Sequence, residues 1–539
     1  MKNHTSPSWE PAFSANPIPY RTLLENEWVF PDDLPHPETT LTTAEAARGG
    51  NLLVQLVTGR HISAGAGFSM QVNGANGVTV TPYQLLPVHV AKNSAPRGKM
   101  ETTDDYESVK NFVTRRAPFD VLDITAPIGE EGLSEGVLAL ALRFTVSADA
   151  PAGVQEVLLL IRAGEFTLSV PVRLTVHAVR IPSLRDSRLS VCNWLFPYRL
   201  AATHGVEVFS EDYYTIYRRY LSHQLDIRSN LLCLVGGFGK PTGVTAIRDE
   251  NGRVIDFDIT HLERSFKIAK EMGFTLLSGP FVAHWVKWTD ASLWLLWDKE
   301  TEVTTPEALR QLALYFTKIG DMLRRNDWEK CYLQCLVDEP QTYSEPMYWV
   351  LSGICRRYLP GIPISDPIET TGIGGAMDIY CVKQAAYERD IDFYRELQKN
   401  QERFTFYTCG YPAGDTMNRV LDLPVSAGRL PFWMCHRYGF EGFLHWGYHV
   451  NELVGPAGNQ NIVYPHGNTV AESVRSHAQR AGAEDWELLE IIRRHDPEKA
   501  DALVKRACRD FNDYERDAKK LESIRHDLLM TADLYATNL

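Results

Sequence analysis

Between residues 330 and 340 a run of apolar, β-prone side chains stops abruptly in two carboxylates and a proline: Tyr332, Leu333, Cys335, Leu336 and Val337 lead into Asp338, Glu339 and Pro340. A run of this length and composition predicts an interior strand. The strand has to end where the acids begin, because an unpaired buried carboxylate is very costly, and Pro340 has no N–H to give a neighbouring strand. Ser344 as an N-cap and Pro346 in the first turn predict a helix immediately afterwards. Paired acids at the C-terminal end of a strand that feeds a helix stand where a (β/α)8 barrel carries its chemistry. Alone, an Asp-Glu-Pro triplet is most simply a charged turn, so the rest of the chain has to decide.

The surroundings favour the barrel. From about 188 to 451 strands and helices alternate. Strands are predicted at 189–194, 230–235, 274–282, 332–337, 362–365, 378–382, 404–409 and 442–446. Ser210 should cap a helix whose apolar face is Tyr213, Ile216, Tyr217, Tyr220 and Leu221. Thr260 and Glu263 read as a capping box, with Gly273 closing that helix. Thr305-Pro306 opens a long helix with Leu309, Leu312, Phe316, Ile319 and Leu323 on one side. Further helices are expected at 387–397 and 432–438, the latter closed by Gly439. Eight alternations predict a TIM-type barrel.

The flanks read differently. Residues 41–182 contain short alternating segments between turn signals, among them Ala150-Pro151-Ala152-Gly153, and predict an all-β sandwich. Residues 1–40, rich in proline and polar residues with Trp9, Phe13, Tyr20, Trp28 and Phe30 interspersed, predict an irregular arm. After a glycine-containing polar loop, 465–539 has helical periodicity and predicts a C-terminal helical layer, its mixed charges forming a solvated face. The fold expectation is therefore multidomain: sandwich, barrel, helical segment.

Charge narrows the partners. A net charge of −13 with no basic block argues against nucleic acid and anionic membranes, and no apolar run approaches the ~20 residues that cross a bilayer. The nine cysteines are scattered and read as reduced core residues of a cytoplasmic protein. No spacing suits a metal, so neither metal nor cofactor is expected. A homo-oligomer is compatible with all of this.

If the barrel is right, one mouth collects the strand ends: Asn193 and Trp194, Gly236 and Gly237, His284, Trp285 and Trp288, Asp338 and Glu339, Asp366, Lys383 and Gln384, Tyr407 and Tyr411, then His445, Trp446 and Tyr448. Aromatics beside carboxylates suit a sugar site, because sugar C–H faces stack on rings while hydroxyls need polar partners. Each aromatic alone is more simply core. A retaining glycosidase with two carboxylates needs its nucleophile ~5 Å from its acid, in such barrels usually at the end of strand seven. Residues 404–410 contain no acid. A vicinal Asp-Glu pair without a second partner suits substrate assistance, in which a 2-acetamido oxygen attacks the anomeric carbon. Two further readings stand beside it: a glycosidase for sugars lacking the acetamide, with Asp366 or another acid as partner, and a carbohydrate-binding protein without catalysis.

Three stretches carry a resemblance: Val337-Asp338-Glu339-Pro340, Gly439 through Trp446, and 473–489 with its Gly-Ala-Glu-Asp. Together with the order of sandwich, barrel and C-terminal element, they make the chain resemble glycoside hydrolase family 123 and the proteins sharing domain of unknown function 4091. The resemblance implies action on β-linked N-acetylgalactosamine with retention by substrate assistance. Asp338 would orient the acetamide and Glu339 would act as general acid/base.

Overall fold

The structure is a computed structural model, and the residues described are 18–34, 41–99, 101–287, 289–452 and 455–536. Trp9, Phe13 and Trp288 lie outside them.

The sandwich has two sheets. Four strands form one: Thr42–Arg48, Phe166–Arg180, Gly153–Ala163 and Phe68–Asn73. The other has seven and recruits distant chain at both edges. Arg21–Leu24 pairs antiparallel with Asn51–Ile62, so part of the expected irregular arm is an edge strand. Thr469–Ser473 pairs with Phe119–Pro127, placing Glu472 opposite Thr125. Neither strand is legible locally, because each is completed only by its partner.

Strand Asn51–Ile62 explains why its sequence does not alternate. Leu52, Val54 and Leu56 point into the core between the sheets, with Val157, Leu159 and Ile161 opposite. Leu53 and Val57 face outward but are covered by Val425, Val474 and Ala478. A strand buried on both faces has no position where a polar residue is cheaper.

The barrel strands are Ser190–Asn193, Leu231–Cys233, Leu276–Gly279, Tyr332–Gln334, Ser365–Ile368, Ile379–Lys383, Arg403–Thr408 and Gly442–His445. They pair in parallel in chain order, the last with the first. A bridge between Gln334 and Ile364 closes the ring between the fourth and fifth. Ser210 and Thr305 cap as expected, accepting from Tyr213 N and Ala308 N at 3.2 Å. Two expected caps differ. Thr260 is already helical and its N–H goes to Asp258, while Glu263 turns to Lys267, Arg325 and Asn326. Ser344 bonds to Gln341 in a preceding 3-10 turn instead of capping the helix. The single helix expected at 387–397 is two, Gln384–Arg389 and Ile391–Lys399. Two small sheets stand on the mouth side, where no strand is predicted: the hairpin Thr245–Arg248/Val254–Asp258 and the meander Ala283–His284/Trp294–Leu295/Asp298–Glu302.

The C-terminal helix Val474–His495 is buried along most of its length, so its charges are not a solvated face. It lies between the sandwich and the helices Ser426–Arg429 and Pro431–Tyr438, and its charges are paired across that seam. Arg429 binds Asp485 (2.6 Å) and Glu25 (2.9 Å), and Arg475 binds Asp123 (2.7 Å). Glu25 and Asp123 belong to the N-terminal part of the chain, so these buried pairs tie it to the barrel through Arg429 and to the C-terminal helix through Arg475.

Candidate active site

Asp338 and Glu339 follow the fourth strand at the C-terminal mouth. Adjacent residues of an extended strand face opposite ways, yet both acids line one cavity of about 370 Å3. Glu339 resolves the conflict by taking φ +45°, a left-handed conformation uncommon outside glycine. Its N–H donates to Pro367 O at 3.1 Å, and its carbonyl accepts from the Gln341 side chain at 2.8 Å, which holds the bend. The indole N–H of Trp285 donates to Asp338 O at 3.0 Å.

The two carboxylates sit in different company. Glu339 accepts from the Tyr407 hydroxyl and faces the Lys383 ammonium at 3.6 Å. Lys383 in turn pairs with Glu369 at 2.8 Å. Burial raises the pKa of Glu339, with Lys383 and Tyr407 pulling against it. Asp338 is pushed well above the usual carboxylate range by burial, then by the charges of Glu339 and Asp366. In the free protein both are raised, and the donors favour the anion on Glu339. Burial alone would depress the Lys383 ammonium, but Cys409, Glu339 and Glu369 hold it above its ordinary value.

Trp194, His284, Tyr407 and Trp446 line the same cavity, as do Gly236 and Gly237. Trp194 meets Phe281 edge to face at 5.6 Å, giving an aromatic wall. His284 is pushed toward its neutral form by burial and lies 4.3 Å from the Trp285 ring. Lys383 reaches the site through Glu339.

Four expected residues stand elsewhere. Asn193 is fully buried and accepts from Arg419 at 2.7 Å. His445 accepts the Gly447 N–H at its Nδ1 (2.9 Å) and meets Asn418 at its Nε2 (3.2 Å). Tyr448 is fully buried, donating to Tyr220 O at 3.0 Å. For the first two the reason is the period-two alternation of strands: Trp194, Leu444 and Trp446 face the mouth, so Asn193 and His445 face away. Asp366 is the fourth. It lines the bore of the barrel, in a cavity that reaches Lys330 and Arg403 at the strands' other ends. Its carboxylate accepts from Leu336 N (2.7 Å), Val337 N (3.2 Å) and Tyr348 OH (2.7 Å). Asp366 thus pins the chain leading into Asp338 and does not line the cavity that holds Asp338 and Glu339.

Sequence reasoning missed Phe196, Tyr198 and Arg199, which follow the first strand and line the cavity. Their position just past a strand end was the available signal. Leu296, supplied by the mouth-side meander, and Glu369, the partner of Lys383, had none. Among the described residues that line the cavity, Asp338 and Glu339 are the only carboxylates.

Residues 194–492 match the family model described as glycoside hydrolase 123, catalytic domain. Among solved structures, a family 123 glycoside hydrolase from Clostridium perfringens superposes with a TM-score of 0.69 at 11% identity, covering 96% of this chain and 97% of that one. A β-D-glucuronidase from Dictyoglomus thermophilum (TM-score 0.35, 9% identity, 86% and 68% covered) and a β-galactosidase from Marinomonas (0.37, 10%, 59% and 62%) are too distant to add to the assignment. No curated protein sequence matches. The family match spans more than half of the chain, over the barrel mouth and the buried C-terminal helix just described: the chain belongs to glycoside hydrolase family 123.

Proposed function

We propose that this glycoside hydrolase cleaves a β-linked N-acetylhexosamine, N-acetylgalactosamine first, with retention by substrate assistance. The observation that carries the reading is the bend at Glu339, which turns two neighbouring carboxylates into one cavity where no third carboxylate among the described lining residues could serve as nucleophile. The similar Clostridium perfringens enzyme is described as hydrolysing glycolipid glycans, which suits an amino-sugar substrate.

In this reading the 2-acetamido carbonyl oxygen attacks the anomeric carbon while Glu339 protonates the departing glycosidic oxygen. Asp338 accepts the acetamide N–H and stabilises the positive charge of the oxazolinium. Water, deprotonated by Glu339, then opens the ring, and two inversions give net retention. Two raised acids side by side favour one shared proton over two anions. In the free protein that proton belongs on Asp338, whose surroundings disfavour the anion more. An arriving acetamide N–H is the donor that Asp338 needs as an anion, and the proton is then available on Glu339.

A panel of aryl glycosides tests this. Aryl 2-acetamido-2-deoxy-β-hexosides should be hydrolysed, with the β-anomer as first product by NMR, and plain β-hexosides should not. Comparable rates on plain hexosides would remove substrate assistance. Binding without turnover of any member would favour a carbohydrate-binding protein.

A further inference from the structure

A second cavity, about 450 Å3, adjoins the catalytic one and shares Gly237, Phe281 and Leu296 as a common wall. Both volumes are in the range of small-molecule sites. Its other walls come from the loop and hairpin between the second strand and its helix, and from Val208 and Phe209. Phe209 has φ +65° and stacks on His261 at 4.8 Å, a ring held in place by an uncommon backbone conformation.

The charge of this cavity runs against the chain as a whole. In a protein of net charge −13, the described residues lining it include Lys240 and Arg248 but no carboxylate. Arg248 is fixed by donating to Gly252 O (2.7 Å) and Trp297 O (2.8 Å). Its neighbour Asp249 is turned into its own loop, accepting from Asn251 N and Arg253 N. Lys240 stands over the ring of Tyr198 at 5.2 Å, and Tyr198 itself lines the catalytic cavity. The lysine therefore stands at the junction of the two cavities.

We propose that this second cavity is a sugar subsite that takes the residue joined to the cleaved N-acetylhexosamine, and that Lys240 and Arg248 select for an anionic group on that residue. A uronic acid carboxylate and a sulfate ester share this chemistry. The inference rests on the functional reading above for which sugar occupies the first cavity.

The test uses three oligosaccharides of one sequence. Each joins a β-linked N-acetylhexosamine to a sugar bearing a carboxylate, a sulfate ester or a neutral hydroxymethyl group. The measured quantity is the ratio of kcat/KM for each charged substrate over the neutral one. For exposed charge pairs the expected ratio is about three- to tenfold. It should fall toward one in Lys240→Gln and in Lys240→Gln/Arg248→Gln, and toward one as salt is raised. Preference for the carboxylate alone or the sulfate alone identifies the source. A wild-type ratio of one, or a ratio unchanged in the double variant, overturns the subsite. If none of the three is cleaved, the functional reading fails separately, and calorimetric binding of the same sugars decides. Charged sugars binding more tightly, with the difference lost in the double variant, uphold the subsite; equal affinities overturn it.

Discussion

Tyr407, at the end of the seventh barrel strand, donates its hydroxyl hydrogen bond to Glu339, beyond the end of the fourth. Where a two-carboxylate enzyme would present a nucleophile, this protein presents a phenol that holds the Glu339 carboxylate. Lys383 approaches the same carboxylate from the sixth strand at 3.6 Å. Three strands thus converge on one carboxylate.

That convergence predicts a pH effect. Both donors lower the pKa of Glu339, and the Lys383 charge lowers that of Asp338 as well. Removing either donor should let the pair keep its proton to higher pH. Tyr407→Phe and Lys383→Met should therefore move the basic limb of the kcat/KM profile to higher pH, Lys383→Met by more. A basic limb that stays in place or moves down would show that the pair does not supply the catalytic proton.

The two acids should fail differently. Glu339→Gln should impair substrates with poor leaving groups by about 10²–10⁴-fold, the scale of general acid–base help, while sparing an activated aryl glycoside. Asp338→Asn should impair both alike, because ring closure by the acetamide suffers whatever departs. Near-full activity of Glu339→Gln on an unactivated oligosaccharide would falsify the assignment of the pair.

Trp446 follows the last strand and lines the cavity, with His445 turned away behind it. Trp446→Ala should remove about 1–1.5 kcal/mol of stacking, roughly a tenfold rise in KM, and Trp446→Phe should recover part of it. Unchanged KM and kcat in a variant that melts like the wild type would take Trp446 out of the site.

Asp366 predicts a stability effect. Burial raises its pKa from 3.8 to about 7, so the folded state holds this proton more tightly than the unfolded chain. The resulting stabilisation is fully present below about pH 4 and is lost as pH rises through about 7. Asp366→Asn cannot titrate, so between those limits its Tm should decline less than that of the wild type. Parallel Tm profiles would show Asp366 already ionised in the folded acid-side protein.

The barrel was legible because its signals are local. Strand-length apolar runs, the caps at Ser210 and Thr305 and the closing Gly273 and Gly439 act within a few residues, and each lies where the sequence predicts. The Asp338-Glu339-Pro340 break was legible for the same reason. Tertiary structure decided the rest. Whether a strand-end residue faces the mouth depends on register, and a one-residue change reverses it, which separates Trp194 from Asn193 and Trp446 from His445. The bend at Glu339 is held by Pro367, and the partners of that acid come from strands some 45 and 70 residues further on. The charges of 474–495 look solvated in sequence because their counter-charges stand far off along the chain, Asp123 for Arg475 and Arg429 for Asp485. Burial and pairing over such separations are properties of the folded chain, since a carboxylate's cost depends on what surrounds it and not on what adjoins it.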